Sequence, residues 1–336
     1  MQKVVVAISG GVDSSVAVYL LKEKGFTVEG IFFCLFDEPP GVEFAKKIAE
    51  FFNIKLHIWD LRESFKQMVI EPFFRGYKSG ITPNPCVLCN RYIKFPTLKK
   101  VADLVNAKFF ATGHYARIIR EDDSFFLSKG VDRKKDQSYF LYGIDKKLLN
   151  QLIFPIGEYL KEEVREIATK AGIPSKIAEE SVDVCFLKNK RYYDMIKSSP
   201  GPIIEKSTGK IIGQHKGIHL FTIGQRKRLN ISVGYPAYVV EIDPIINAVY
   251  IASYNEVYKK EFYVTDLNWF SNPKEIFVCT VKIRYTMEPQ PATITLVSEN
   301  KVKVSYHTPQ FAPTPGQSAV FYDGDKVIGG GIILKE

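Results

Sequence analysis

Residues 9–15, with the sequence SGGVDSS, constrain the fold of this chain more than any other stretch. Residues 4–8 before them are apolar and rich in β-branched side chains, which predicts a strand buried on both faces, as in a parallel sheet. Residues 16–24 after them have the pattern of a helix, and Gly25 is expected to end that helix. The stretch therefore joins a parallel strand to a helix N-terminus, which is a common position for a phosphate-binding loop.

The composition of this loop indicates which kind of phosphate site it forms. Its two glycines let backbone N–H groups approach an anion, and its serine hydroxyls add donors. The second spaced glycine and the lysine of a Walker A loop are missing. Asp13 lies inside the loop instead, which is favourable if a Mg²⁺ ion lies between this carboxylate and the phosphates. The stretch resembles the pyrophosphatase loop (PP-loop) of enzymes that use ATP to adenylate a substrate oxygen. The alternative is a Gly-Ser turn in an ordinary doubly wound domain.

Strands and helices alternate through roughly the first 200 residues, which predicts an α/β fold with a doubly wound parallel sheet. Ligands are then expected at the carboxyl ends of the strands. A hairpin of residues 116–121 and 125–129 is predicted within this part, as are a short apolar strand around Cys185 and a final helix at 192–198. The other predicted strands are 27–34, 55–59 and 108–112, and the other predicted helices are 42–52, 62–77, 91–105 and 161–171.

After residue 200 the apolar residues alternate with period two, which predicts an antiparallel, barrel-like β structure. The chain has a net charge of +9 and a pI of about 9.1, which favours a polyanionic partner, although lysines on solvated surfaces would give the same charge. No apolar run approaches the length of a membrane span, and no signal peptide is recognised, so we expect a cytoplasmic protein. Five cysteines in such a chain favour catalytic or metal-binding roles over a disulfide framework.

Cys89 follows a stretch with two prolines, which we expect to prevent regular structure before a helix begins near residue 91. Cys89 would then lie at a helix start, where the helix dipole lowers the pKa of a thiol and favours a nucleophile. A cysteine that only fills space in a loop is the alternative. The basic residues 133–135 and the loop 224–228 could contact phosphate or form solvated turns.

Seven motifs in one order along the chain together resemble the tRNA-specific 2-thiouridylase family. They are SGGVDSS, TPNPCVLCN, ATGHYAR, KKDQSYFL, DVCF, GQRK and PGQSAVFY. The resemblance spans nearly the whole chain. It implies a PP-loop domain (1–198) for adenylation and sulfur transfer, a small central β domain (199–258) and a C-terminal antiparallel β-barrel (259–336).

The resemblance also implies an activity, namely ATP-dependent placement of sulfur at C2 of the wobble uridine in tRNAs for Lys, Glu and Gln. Sulfur would arrive as a persulfide on Cys185 from a sulfur carrier or a cysteine desulfurase. Cys89 would attack that persulfide, or act as the general acid and nucleophile that releases sulfur, which leaves a Cys89–Cys185 disulfide for reductants to open. The residues implied for ATP and its Mg²⁺ ion are Ala7, Ile8, Ser9, Gly10, Gly11, Val12, Asp13, Ser14, Phe33 and Gly113.

The resemblance implies two groups of RNA-contacting residues. His114, in the second group, has an alternative role, which is to satisfy a hydrogen bond at the end of a strand. The residues implied for the target base are Asn84, Pro85 and Cys86, and those for other parts of the tRNA are His114, Lys135, Asp136, Gln137, Arg284, Tyr285 and Gln317.

The chain departs from the commoner family pattern at Cys86, where that pattern has aspartate. Cys86, Cys89 and Cys185 form a C-x-x-C pair plus a third cysteine, which related sulfur-inserting PP-loop enzymes use to hold a [4Fe-4S] cluster. Cys34 and Cys279 lie in apparent strands and are not placed to complete a zinc site. A persulfide relay and a cluster therefore remain as alternative mechanisms. A PP-loop ligase that acts on a small molecule and a non-catalytic RNA-binding module are alternatives of other classes.

Overall fold

The computed structural model describes residues 1–37, 41–174, 184–187 and 191–335 of the 336-residue chain. Within them the strands form sheets of five, four and eight strands. No helix in these ranges is long and apolar enough to cross a membrane. In chain order the strands are β1 (Lys3–Ala7), β2 (Thr27–Cys34), β3 (Leu56–Asp60), β4 (Phe109–Thr112), β5 (Ala116–Glu121), β6 (Ser124–Lys129), β7 (Leu152–Ile153), β8 (Gly201–Glu205), β9 (Ile211–His215), β10 (Tyr238–Asp243), β11 (Ala248–Ala252), β12 (Tyr258–Trp269), β13 (Ile276–Lys282), β14 (Gln290–Ser298), β15 (Lys301–Phe311), β16 (Ser318–Asp323) and β17 (Lys326–Ile333).

The helices lie mainly in the first half of the chain. Those of α type are α1 (Val12–Glu23), α2 (Val42–Phe51), α3 (Arg62–Phe65), α4 (Glu71–Lys78), α5 (Pro85–Leu88), α6 (Phe95–Leu104), α7 (Ser138–Leu141) and α8 (Lys161–Lys170). Two π-helical segments, Lys66–Ile70 and Cys89–Lys94, join α3 to α4 and α5 to α6. Short 3₁₀ turns are Lys146–Leu148, Cys185–Leu187, Tyr192–Met195, Ile218–Leu220 and Tyr254–Val257.

The first sheet is parallel in the order β3-β2-β1-β4-β7, with β1 at its centre. Successive residues of β1 belong to cores on opposite faces of the sheet. Val5 belongs to the core that contains Leu98 of α6, and Val4 belongs to the core that contains Val16 of α1. A strand buried on both faces needs apolar side chains at every position, which explains the composition of β1. The doubly wound parallel sheet predicted from the sequence is confirmed.

The helical run through α5, Cys89–Lys94 and α6 corrects one expectation from the sequence. The two prolines of residues 80–91 do not prevent regular structure, because Pro85 occupies the first position of α5. At that position the missing N–H has no helical acceptor and the fixed φ of proline already suits a helix. The helical run therefore begins at Pro85 and not near residue 91.

The four-stranded central sheet has the order β10-β11-β8-β9 around a core that includes Ile203, Val239 and Ile251. Its β11–β8 pairing is parallel, so the expectation of a purely antiparallel second half is wrong at this pair. The domain boundaries implied by the resemblance remain a prediction.

The C-terminal part is a closed antiparallel barrel in the order β12-β15-β14-β13-β16-β17, and the β12–β17 pairing closes it. The predicted hairpin of β5 and β6 is present, and it joins the edge of this barrel through the pairing of Ser128 with Lys326. A hairpin from the first half of the chain thus anchors the barrel beside the parallel sheet.

Two further expectations are wrong. Cys185 lies in the 3₁₀ turn Cys185–Leu187 and not in a strand, while residues 181–183 of that predicted strand lie outside the described residues. The neighbouring Phe186 ring packs 5.9 Å from Phe65 and 5.1 Å from Phe73, so side-chain packing holds this segment. The predicted helix at 192–198 is reduced to the 3₁₀ turn Tyr192–Met195.

Candidate active site

The loop between β1 and α1 is a compact backbone cradle. Gly10 has a φ of +85°, and a Cβ on it would lie 2.7 Å from the Gly41 carbonyl oxygen, so the position requires glycine. The Ser14 hydroxyl accepts a 3.2 Å hydrogen bond from the Ser9 N–H and donates a 3.0 Å hydrogen bond to the Gly11 carbonyl. Because α1 begins at Val12, the first-turn N–H groups of this helix face the loop, as an anion site requires.

The other predicted nucleotide-site residues lie at the same edge of the sheet. Phe33 is in β2 and Gly113 follows β4, and these two strands flank β1. A Cβ on Gly113 would lie 2.8 Å from the Asp13 carbonyl carbon and from the Ser14 nitrogen. The structure thus brings Gly113 directly against the start of α1.

Asp13 has two polar partners that sequence reasoning missed. The Lys161 ammonium lies 2.6 Å and 2.8 Å from its two carboxylate oxygens, and the Tyr115 hydroxyl donates a 2.9 Å hydrogen bond to Oδ1. Tyr115 directly follows Gly113-His114 at the sheet edge, which was an available signal. Lys161 is 148 residues away along the chain, so only the fold reveals it. The Asp13 side chain is 34% exposed and offers the oxygen ligands that Mg²⁺ prefers, so the residues present fit this ion.

Cys89 does not have the environment expected from the sequence. It is the first residue of the π-helical segment and lies one turn inside the helical run that begins at Pro85. It is only 5% exposed and packs with Phe65, Val69 and Ile93. Burial raises the pKa of its thiol to about 11, so the expected lowering of this pKa by a helix end is wrong. The free N–H groups at the start of the helical run lie one turn before Cys89, so the effect of burial on the thiolate determines the pKa of Cys89.

Lys94 is the positive charge of the cysteine site, and sequence reasoning missed it as well. Its ammonium acts on Cys86, Cys89 and Cys185, and it lowers the pKa of each of these thiols against the effect of desolvation. Burial acts to lower the pKa of Lys94, but the interactions with the three cysteines outweigh it, so the pKa of Lys94 is raised. The structure therefore places the three cysteines around one positive charge, although Cys185 lies 96 residues after Cys89.

The exposures of these cysteines differ. Cys86 and Cys185 are exposed, whereas Cys89 is buried, and all three are free thiols. Phe186, next to Cys185, packs against the hydrophobic cluster that contains Cys89. Among the residues that the structure describes, no three Cys, His, Asp or Glu side chains are arranged to hold a metal ion.

Several hydrogen bonds attach the segment before Cys86 to the barrel. The Gln317 amide donates to the Thr82 carbonyl at 2.9 Å, and the Thr82 N–H donates to the Pro315 carbonyl at 2.9 Å. The Asn84 amide donates a 3.4 Å hydrogen bond to the Ser318 hydroxyl. Gln317 and Asn84, both predicted RNA contacts, are thus brought together across the interface between the parallel-sheet domain and the barrel.

His114 is held by its own strand. Its Nδ1 lies 2.6 Å from the Thr112 hydroxyl, and its ring packs about 6 Å from those of Phe95 and Phe154. Burial, together with repulsion from Lys94, lowers the pKa of His114 to about 3. The neutral ring therefore makes the strand-end hydrogen bond that was the alternative to an RNA contact, and it lies beside Gly113.

The predicted RNA contacts at residues 135–137 have unequal access to a ligand. Asp136 is 4% exposed, and its carboxylate accepts hydrogen bonds from the Gly130 N–H and from the Ser138 N–H and hydroxyl. Its carboxylate therefore holds the loop together. Gln137 exchanges hydrogen bonds with the Tyr115 backbone at 2.8 Å and 3.0 Å, and the half-buried Lys135 bonds the Asp132 carboxylate through its N–H.

Arg284 and Tyr285 lie between the parts of the molecule. The Arg284 guanidinium donates to the Ile223 carbonyl of the central part at 3.1 Å and to the Ala312 carbonyl of the barrel at 3.1 Å. The Tyr285 ring packs 4.7 Å from Phe140. The Phe140 carbonyl accepts a 3.0 Å hydrogen bond from the side chain of Asn90, the residue that follows Cys89. Phe140 therefore connects Tyr285 to the cysteine site.

Known families and proteins match this chain over nearly its whole length. Family models described as a tRNA methyl transferase HUP domain, a tRNA methyl transferase PRC-barrel domain and an aminomethyltransferase beta-barrel domain match residues 2–189, 190–253 and 259–333. The chain is 42% identical to the tRNA-specific 2-thiouridylase MnmA of Carboxydothermus hydrogenoformans, over 99% of this chain and 98% of that protein. It is 40% identical to the enzyme of the same name from Clostridioides difficile, over 99% and 98%. A 4-thiouridine synthetase solved with RNA and ATP is 22% identical over 51% of this chain and 41% of that chain, with a TM-score of 0.38.

Proposed function

Because this chain belongs to the tRNA-specific 2-thiouridylase family, we propose that it uses ATP to adenylate the wobble uridine of tRNAs for Lys, Glu and Gln, and replaces its C2 oxygen with sulfur. One observation carries the proposal. The Lys94 ammonium acts on Cys86, Cys89 and Cys185 and also on His114, which follows Gly113 beside the phosphate loop. A loop suited to activate an oxygen and thiols suited to deliver sulfur thus share one edge of the sheet.

In this proposal the loop holds the phosphates of ATP. The N–H groups of Gly10 and Gly11 and the first turn of α1 bind the phosphate oxygens, and Phe33 and Gly113 border the nucleotide. The residues of the loop that contact ATP are Ala7, Ile8, Ser9, Gly10, Gly11, Val12, Asp13 and Ser14. Asp13 would hold a Mg²⁺ ion, which would supply positive charge at the phosphates.

Adenylation converts a poor leaving group into a good one. The C2 oxygen of the uridine attacks the α-phosphate, pyrophosphate leaves, and C2 carries an O–AMP group. Positioning and electrostatic stabilisation provide most of the catalysis in such phosphoryl-group chemistry.

The two thiols have different roles that match their exposures. Cys185 is exposed and accepts the outer sulfur of a persulfide from a protein donor, whereas Cys89 is buried and starts as a neutral thiol. The terminal persulfide sulfur attacks C2 and AMP leaves, which joins Cys185 to the base through two sulfurs. Cys89 then attacks the Cys185 sulfur and its proton passes to the departing base, which is released as the 2-thio product while a Cys89–Cys185 disulfide forms. A cellular dithiol reductant returns both cysteines to thiols.

We assign the RNA contacts in the same proposal to two surfaces. The segment held by Gln317, with Asn84, Pro85 and Cys86, borders the target base, and the segment 135–137 with Arg284 and Tyr285 contacts other parts of the tRNA. The net charge of +9 supports a polyanionic partner. A cytoplasmic location is part of the proposal, since tRNA and persulfide donors are found there.

A cluster held by Cys86, Cys89 and Cys185 is the second candidate mechanism. It is supported by the charge of Lys94, which acts on all three thiols. We derive no step through a cluster. A ligase acting on a small molecule would leave these cysteines without a role.

The proposal is tested by AMP and pyrophosphate release from ATP with and without tRNA. We expect release that depends on uridine-bearing tRNA, and its loss in Asp13→Asn with tRNA binding kept. Asp123→Asn, in the exposed turn of the β5–β6 hairpin, is the matched control and should behave as the unchanged protein. Pyrophosphate exchange that needs no RNA would favour the small-molecule ligase instead, and normal activity of Asp13→Asn would remove the adenylation step.

A further inference from the structure

The phosphate loop itself carries no cationic side chain. Residues 7–15 contain one charged residue, Asp13, which is negative. A polyphosphate bound there needs positive charge beyond what backbone N–H groups supply, because several phosphate oxygens are ionised at neutral pH. Lys161 is a cation that the fold brings to this place, and its ammonium bonds both oxygens of Asp13 at 2.6 Å and 2.8 Å.

The Lys161 backbone is firmly held while its side chain is long. Lys161 is the first residue of α8, and its N–H donates a 3.0 Å hydrogen bond to Oδ2 of Asp132. Asp132 is 8% exposed, and its other oxygen accepts hydrogen bonds from the N–H groups of Lys134 and Lys135. The Cα of Lys161 is therefore fixed beside the loop, whereas rotation about the side-chain bonds can move the ammonium by several ångströms.

The surroundings of the Lys161 ammonium would also allow it to exchange Asp13 for another anionic partner. The Lys161 side chain is 13% exposed, and its ammonium lies 5.6 Å from the centre of the Tyr115 ring. The Tyr115 hydroxyl donates to Asp13 independently of Lys161, so the carboxylate keeps one partner if the lysine leaves. Gly113 packs against the Asp13 backbone and so restricts the position of the Asp13 Cα. The partly desolvated Lys161 ammonium would thus need to move only a short distance to reach a phosphate group bound in the loop.

We propose that Lys161 is a phosphate-binding residue of the nucleotide site, whose ammonium passes from Asp13 to the β- and γ-phosphates when ATP binds. This inference rests on the proposed function and adds a residue to it. The pair with Asp13 keeps the ammonium ready in the free protein. Because pyrophosphate is the leaving group of adenylation, the same ammonium stabilises charge that develops on it.

Equilibrium binding of nucleotides tests this role without any thiolation reaction. The variants are Lys161→Gln, which keeps a hydrogen bond to Asp13 but removes the charge, and Lys161→Arg, which keeps the charge. Lys170→Met, at the other end of α8 where Lys170 pairs with Glu166, is the matched control. The dissociation constants of ATP and AMP are measured with Mg²⁺ present, together with the melting temperature without nucleotide.

We expect Lys161→Gln to weaken ATP binding by about 10- to 100-fold, the range for a lost charged hydrogen bond, while AMP binding changes by less than about 3-fold. Lys161→Arg should retain most of the ATP affinity, and Lys170→Met all of it. Unchanged ATP affinity in Lys161→Gln, or equal losses for ATP and AMP, would overturn the inference and leave Lys161 with a structural role. An unchanged protein that binds no ATP would overturn the proposed function first, and this inference with it.

Discussion

Lys94 and Cys89 are the last and first residues of one π-helical segment, and the charge of the Lys94 ammonium favours the thiolate of Cys89. The i→i+5 hydrogen bonds of a π-helix bring residues five apart onto neighbouring turns, which an α-helix would not do for this pair. π-Helical turns often occur at functional sites, and here the turn gives a buried thiol its positive neighbour.

Replacement of Lys94 by methionine should raise the pKa of the Cys89 thiol further and slow its alkylation, because a nearby opposite charge is lost. The measurement is the alkylation rate of Cys89 against pH, resolved by mass spectrometry of its peptide. Lys100→Met is the control, since Lys100 lies on α6 but over the Trp59 ring. A Cys89 profile that is the same in Lys94→Met and the unchanged protein would contradict the electrostatic role of Lys94.

Serine replacements separate the two candidate mechanisms. Cys89→Ser and Cys185→Ser should each abolish thiolation, because one sulfur of the relay is lost. Cys86→Ser should retain most activity, because Cys86 has no step in the relay. The measurements are 2-thiouridine formed by each variant and the iron content of anaerobically purified protein. Loss of activity in all three variants together with near-stoichiometric iron would favour the cluster instead.

Gln317→Ala should weaken the hold of the barrel on the segment before Cys86. One hydrogen bond to the Thr82 carbonyl is lost, which costs about 0.5 to 1.5 kcal/mol. We expect thiolation at limiting tRNA to fall by about 3- to 10-fold, with ATP binding unchanged. Gln310→Ala is the control, because the Gln310 amide bonds only the nearby Thr308 among the described residues. An equal effect of both variants would show that this hydrogen bond has no specific role.

The depressed pKa of His114 makes the stability of the fold depend on pH. The pKa is about 3 in the folded chain and about 6.5 in an unfolded one, so the unfolded state binds the proton first as pH falls. This contribution to the free energy of unfolding is fully present above pH 6.5 and is lost as pH falls from 6.5 towards 3. Its slope is at most about 1.4 kcal/mol per pH unit.

Urea unfolding at pH 7 and pH 5 measures this effect. We expect the loss of stability between these pH values to be smaller in His114→Gln than in the unchanged protein. His307→Gln replaces an exposed histidine on the barrel and should leave the pH dependence unchanged. Equal pH dependence in His114→Gln and the unchanged protein would mean that His114 is not held in its neutral form.

Local patterns in the sequence predicted the parts of the fold that local forces determine. The strand Thr27–Cys34 and the helix α8 match because apolar periodicity and end signals such as Gly172, with a φ of +63°, act over a few residues. The position of Pro85 was misjudged because a proline at the first turn of a helix and a proline in a loop have the same local signal.

The candidate site was predictable only in part, because its chemistry depends on contacts between distant residues. The phosphate loop is contiguous, so its residues could be recognised together. The raised pKa of Cys89 comes from Phe65, Val69 and other side chains packed around it, and no sequence pattern announces this burial. Lys161 reaches Asp13 only because α8 packs beside α1, and a lysine at a helix start carries no signal for that.

The most direct test of the central claim is nucleoside analysis of bulk tRNA by mass spectrometry from cells that lack this gene and any second copy. The account predicts that 2-thiouridine at the wobble position disappears from tRNAs for Lys, Glu and Gln, and returns with the unchanged gene but not with Asp13→Asn or Cys89→Ser. Wobble uridines that remain fully thiolated in the deletion strain would contradict it.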